Sequence, residues 1–185
     1  MFNQIIQFSR SNRYDVALKI FISVLFLCLV GPIRFNIQSE VPITLQSLAV
    51  LLVAIWFGWR IGVSAILIYI FLGAMGAPVF AGYEFGINKL TGNTSGFFLG
   101  FTISAFVCGL FAHKPAYRNW YFNLNLWFIG HAIILFSGAA VLSFYTDDVL
   151  SIIKPLSIGL FIKSFTGWAL TMILFQFLKK KKVTK

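Results

Sequence analysis

Apolar residues fall in six long runs, at about residues 17–35, 44–58, 61–78, 95–112, 121–142 and 155–178, each bounded by polar residues, glycine or proline. A helix crossing a bilayer needs about 20 predominantly apolar residues. The pattern therefore predicts an all-α membrane protein with six transmembrane helices. The second and third runs are separated only by Gly58-Trp59-Arg60-Ile61-Gly62. One helix through both would be far longer than a single crossing, so a tight hairpin at Arg60 is expected.

The positive charges give this bundle a direction. With six crossings, the N-terminus, the 2–3 turn, the 4–5 loop and the C-terminus share one side. That side carries Arg10, Arg13, Lys19, Arg60, Lys114, Arg118, Lys179 to Lys182 and Lys185. The other side carries only Arg34, Lys89 and Lys154, together with Glu40, Glu84, Asp147 and Asp148. Basic residues accumulate in cytoplasmic loops. Both termini are therefore expected in the cytoplasm. Trp56, Trp59, Trp120 and Trp127 near the ends of runs fit an interfacial aromatic belt. Lys179–Lys182 reads as a stop-transfer anchor on an anionic leaflet.

Composition sharpens this picture. Of 185 residues, 59% are hydrophobic and only 11% charged, with a mean hydropathy of +0.87. Soluble domains carry about 25% charged residues. The spans leave almost nothing for an extramembrane domain, so residues 1–185 are expected to form one membrane domain with short loops. The first fifteen residues are polar and basic, and the run after them is long enough to remain as a span rather than be cleaved. The net charge of +10 is spread over the ends of apolar runs, which argues against a nucleic-acid surface. Cys28 and Cys108 lie within spans and read as buried small hydrophobes. No metal-ligand cluster and no GxxxxGK[ST] loop is present, so neither metal chemistry nor ATP hydrolysis by this chain is expected. Paired intramembrane carboxylates and a visible inverted repeat are also missing, which weakens an ion-coupled carrier.

Candidate chemistry gathers in the connections opposite the basic side. The 1–2 loop contains Glu40-Val41-Pro42-Ile43-Thr44-Leu45-Gln46, and the 3–4 loop runs from Gly73 through Pro78-Val79-Phe80-Ala81-Gly82-Tyr83 to Gly92-Asn93-Thr94-Ser95-Gly96-Phe97. The apolar trio Pro78-Val79-Phe80 must bury against something, either as a lid over a pocket or in the headgroup region. Lys163, placed about two turns into the sixth run, is costly in hydrocarbon. It is either a partner for a ligand carboxylate or an anchor snorkelling outward. His131 reads as an interhelical hydrogen-bonding group in preference to a proton relay.

Four stretches together resemble the BioY family, the substrate-binding S-components of energy-coupling-factor (ECF) vitamin transporters. Val41-Pro42-Ile43-Thr44-Leu45-Gln46 is similar to VPxTLQ. Tyr69 through Gly82 is similar to YxxxGxxGxPVFxG. Gly92 through Phe101 looks like GPTGGYxxGF, and Gly130-His131 with Gly138 matches the start of the fifth span. The resemblance implies a subunit that captures biotin from outside beneath lid-like loops. It also implies a transmembrane coupling protein and two cytoplasmic ATPases as partners, with ATP used by them and no cofactor on this chain. Thr44, Gln46, Tyr69, Phe80, Tyr83, Asn93, Thr94 and Lys163 become the expected substrate-binding residues. The chain departs from the family where the sixth span usually opens with PGDxxK. Here Ile158 to Lys163 keep the lysine but carry Leu160 in place of the aspartate, and Asn93 and Ser95 alter the GPTGG segment. Span one has Ala17 and Phe21 where S-components often have AxxxA. A different carboxylate, such as lipoate or a biotin precursor, is the alternative ligand. A membrane enzyme or scaffolding subunit is the alternative class.

Overall fold

The computed structural model describes residues 13–35, 43–112, 114, 116 and 119–183. Arg10, Glu40, Val41, Pro42, Arg118 and Lys185, which entered the charge balance or the loop motif, lie outside the described residues. Among the described residues, six long helices and one short one follow in order: α1 Arg13–Val30, α2 Gln46–Phe57, α3 Trp59–Ala74, α4 Asn88–Thr91, α5 Ser95–Phe111, α6 Trp120–Leu142 and α7 Val149–Val183. Outside the helices, β1 (Arg34–Phe35) pairs antiparallel with β2 (Ile43–Thr44), Arg34 opposite Thr44, and Phe80 forms an isolated antiparallel bridge with Glu84.

The helix α2 is the centre of the bundle. Every residue from Gln46 to Ile55 is buried, against α1, α3, α5, α6 and α7. A helix that is apolar all round needs neighbours all round. At twelve residues it is about 18 Å long, short of the roughly 30 Å hydrocarbon thickness. The run at 44–58 thus yields a buried core helix shorter than a bilayer crossing. Trp120–Leu142 and Val149–Phe177 are long and apolar enough to cross a membrane, whereas α2, α3 and α5 are shorter apolar helices. The outer faces carry bare hydrophobes. Phe136 is 81% exposed, and Phe21, Leu29, Phe161 and Phe177 are also uncovered. Such a belt is untenable in water and suits hydrocarbon.

The hairpin forms, but its pivot is Gly58 rather than Arg60. Gly58 takes φ 88° and ψ 166°, a conformation costly for any side-chain-bearing residue, and α3 resumes at once with Trp59. The two helices then close on each other, since a Cβ at Gly62 would lie 2.8 Å from the Ala54 Cα. Gly62→Val should therefore force the hairpin apart at a cost of about 1–3 kcal/mol, read as a lower thermal midpoint in detergent. An unchanged midpoint would show that the contact is not close.

Capping explains the limits of the last two helices. The Asn119 Oδ1 accepts the Tyr121 N–H at 3.0 Å at the start of α6. The Asp148 Oδ1 accepts the Ser151 N–H at 3.2 Å, which starts α7 at Val149. The helix begins six residues before the apolar run at 155 and tolerates Pro155 in its second turn. Lys163 consequently lies fourteen residues into α7, about 21 Å along it, and not two turns from its start. Cys28 and Cys108 are both free, with Cys108 fully buried.

Candidate functional site

A cavity of about 240 Å³ lies between the start of α2, the 75–94 connection, α5, α6 and α7. Its aromatic wall is Phe80, Phe97, Phe98 and Phe101, and α6 and α7 add Ile134, Leu135, Leu156 and Leu160. Thr44, Gln46, Ser47, His131, Asn93 and Thr94 contribute polar groups. Arg34, Lys89 and Lys163 bring three cations against the one carboxylate of Glu84. With His131 neutral, the lining therefore carries a net charge of +2.

The 3–4 connection is a folded wall, not a slack tether. The Gly73 carbonyl accepts the N–H groups of both Gly76 and Gly86, and the Gly82 N–H donates to the Pro32 carbonyl. Phe80 is 2% exposed; its ring lies directly over Gly73, where any Cβ would collide with it. It meets Phe98 at 4.7 Å and Tyr69 edge-on at 5.7 Å between centroids. So the apolar trio divides: Phe80 buries, Val79 is half-buried and Pro78 stays exposed. Within the same turn, the Lys89 Nζ pairs with Glu84 at 2.7 Å, and Arg34 approaches the other Glu84 oxygen at 3.9 Å.

Lys163 turns into the bundle. Its Nζ donates to the Ser47 Oγ at 2.7 Å and reaches the Thr44 carbonyl at 3.5 Å. That geometry excludes the outward-snorkelling anchor. Ser47 lies in the first turn of α2, where the helix dipole is positive, so ammonium and helix terminus both favour an anion. On α6, the His131 Nδ1 lies 3.1 Å from the Trp127 carbonyl and 3.0 Å from the Ser164 Oγ of α7. His131 is thus the interhelical hydrogen-bonding group its sequence context predicts. Its Nε2 has no partner among the described residues. The glycines flanking it admit neighbours: Gly130 lies under Leu51 and Cys108, and Gly138 under the Phe97 ring.

Of the eight expected site residues, Thr44, Gln46, Phe80, Asn93, Thr94 and Lys163 converge on the cavity. Tyr69 does not line it. Fully buried behind the wall, its hydroxyl donates to the Val79 carbonyl at 2.7 Å and accepts from the Gln46 Nε2 at 2.7 Å. Tyr83 is 68% exposed on the connection, at φ 63°, and is outside the lining. Sequence reasoning passed over Arg34, Ser47, Glu84 and Lys89. Arg34 and Lys89 carried a signal, as two of the few cations on the sparsely basic side.

Comparison with known proteins agrees with this architecture. A model of the BioY family matches residues 7–182. The biotin transporter BioY of Thermotoga maritima is 41% identical over 121 residues, covering 65% of this chain and 69% of that protein. The probable biotin transporter BioY of Rickettsia prowazekii is 32% identical over 138 residues, 74% of this chain and 70% of that one. Among solved structures, the S-component for biotin from an ECF-type ABC transporter shares the fold at a TM-score of 0.76. It is 21% identical, with 90% of this chain and 95% of that chain covered. A match over residues 7–182, which takes in the whole cavity lining, makes this chain a membrane protein of the BioY family.

Proposed function

We propose that this chain is the biotin-binding S-component of an ECF-type transporter and not an enzyme. It forms one membrane domain whose six long helices cross a prokaryotic cytoplasmic membrane, the short α2 doing so buried among the others, with both ends inside. The observation that carries the ligand class is the +2 cavity walled by four phenylalanines. Biotin is a small bicyclic body with an apolar, sulfur-containing ring and a carboxylate tail. Its rings match the aromatic wall, and its negative charge matches the excess of cations. Thr44, Gln46, Phe80, Asn93, Thr94 and Lys163 contact the ligand; Tyr69 supports them from behind, and Tyr83 belongs to the loop that covers the site. Energy comes from a transmembrane coupling protein and two cytoplasmic ATPases, which use the ATP.

The test is direct. Purified protein should bind labelled biotin with a Kd well below micromolar, and no binding at micromolar biotin would sink the proposal. Leu160 on the cavity wall favours a second reading, a carboxylate without ring N–H groups such as lipoate. Competition separates the two: if lipoate displaces biotin at comparable concentration, the second reading takes over.

A further inference from the structure

The cavity faces a ligand with several cationic donors, yet a ring N–H on that ligand needs an acceptor. Where the BioY pattern has an aspartate, this chain has Leu160, which cannot accept. Glu84 is engaged with Lys89 and Arg34. Gln46 offers a different solution, because its neighbours determine which way its amide points.

The Val79 carbonyl only accepts, so the Tyr69 O–H must donate to it at 2.7 Å. With its proton committed, the Tyr69 oxygen can only accept from Gln46, and the group it accepts from must be the NH₂ at 2.7 Å. The amide orientation follows from this chain of donors and acceptors, not from the shape of the side chain. The Gln46 Oε1 is left without a hydrogen-bond partner among the described residues, on a side chain only 5% exposed that lines the cavity. Tyr69 itself is closely packed: fully buried, with Phe80 edge-on against its ring and Gly31 close to its hydroxyl.

We infer that the Gln46 amide oxygen is a pre-oriented acceptor for a ring N–H of the ligand, and that Tyr69 is the positioning residue that holds it. The inference rests on the biotin reading above and adds the atom that selects for a ureido-type N–H. An acceptor fixed before binding loses little freedom when the ligand arrives, which is how preorganisation raises affinity.

A double-mutant cycle on the full chain tests this, with Kd for labelled biotin and the ligand-free thermal midpoint measured for each protein. Gln46→Met keeps the length and removes the acceptor; Tyr69→Phe keeps the ring and releases the amide to rotate. Gln46→Met is expected to weaken biotin binding about tenfold or more. Tyr69→Phe is expected to weaken it severalfold when Gln46 is present and not at all in the Gln46→Met background. A Tyr69 that only braced the fold would give the same loss in both backgrounds, and that additivity overturns the positioning role. Wild-type affinity in a folded Gln46→Met protein overturns the acceptor. Should either variant lack a cooperative unfolding transition, Gln46→Glu serves as the second variant. It keeps an oxygen but no donor for Tyr69, and must bind biotin better than Gln46→Leu, or the acceptor role fails. If the unaltered chain does not bind biotin at micromolar concentration, the parent reading falls and this one with it.

Discussion

Lys163→Met should weaken biotin binding about 10- to 100-fold without lowering the thermal midpoint of the ligand-free protein. The two effects have opposite origins. Lys163 supplies one of three cations in the lining, and its Nζ is anchored at 2.7 Å on Ser47 beside the start of α2. A charge-assisted hydrogen bond to a ligand is worth about 1.5–3 kcal/mol, which is the stated range in Kd. In the empty protein the same ammonium is a burden. It is held deep in an apolar bundle with only neutral oxygens for company, and a charge in such a place is expensive. Methionine fills the same volume and removes that cost. Isothermal titration or filter binding reads the first effect and a detergent melt reads the second. Unchanged affinity would remove Lys163 from the ligand site, and a collapsed midpoint would make its role structural.

Gly73→Val should damage folding and binding together. The Phe80 ring occupies the place of a Gly73 Cβ, and the Gly73 carbonyl also holds the N–H groups of Gly76 and Gly86. A side chain there evicts the ring that packs on Tyr69 and Phe98 and lines the cavity. Losing the burial of a phenylalanine costs about 3–5 kcal/mol, so the midpoint should fall by many degrees. Binding should fall at least tenfold, because the wall and the Val79 carbonyl that orients Tyr69 move with the ring. Phe80→Ala in the Gly73→Val background should recover part of the stability by giving the new methyl groups room. If Gly73→Val melts like the parent, the connection is not seated on α3 as described.

The helical fold was legible along the chain, and six of the eight expected site residues line the cavity, for different reasons. The six long helices were visible because each is built around an apolar run, and their existence depends on composition over a dozen or more neighbours; the four-residue α4 lies in no such run. The ends were less legible. The α7 start depends on Asp148 capping Ser151, and the hairpin pivot on the backbone of Gly58, both single-residue events outside the apolar pattern. The cavity residues were recognisable only as motifs, and motifs do not distinguish a residue that touches the ligand from one that supports it. Tyr69 and Gln46 are twenty-three positions apart and share one hydrogen bond. Their sequence neighbourhoods give no hint that one faces the cavity and the other stands behind it. Arg34 was counted only as a charge and Ser47 was passed over beside the Val41–Gln46 motif, because each gains its meaning from a partner far along the chain.

Two determinations remain distinct. By itself the sequence determined that this is a membrane-embedded helical chain, because burial in hydrocarbon is written in the residues of each run and needs no knowledge of neighbours; the resemblance to BioY came separately, from four motif stretches. Only the tertiary structure decided which groups act together. It carried the Lys163 ammonium inward to Ser47 from 116 residues away, made α2 a short buried post, and tied the Gln46 amide nitrogen to the Tyr69 hydroxyl. The physical reason is that hydrogen bonds act over about 3 Å in space, and no local pattern records which distant residues will come that close.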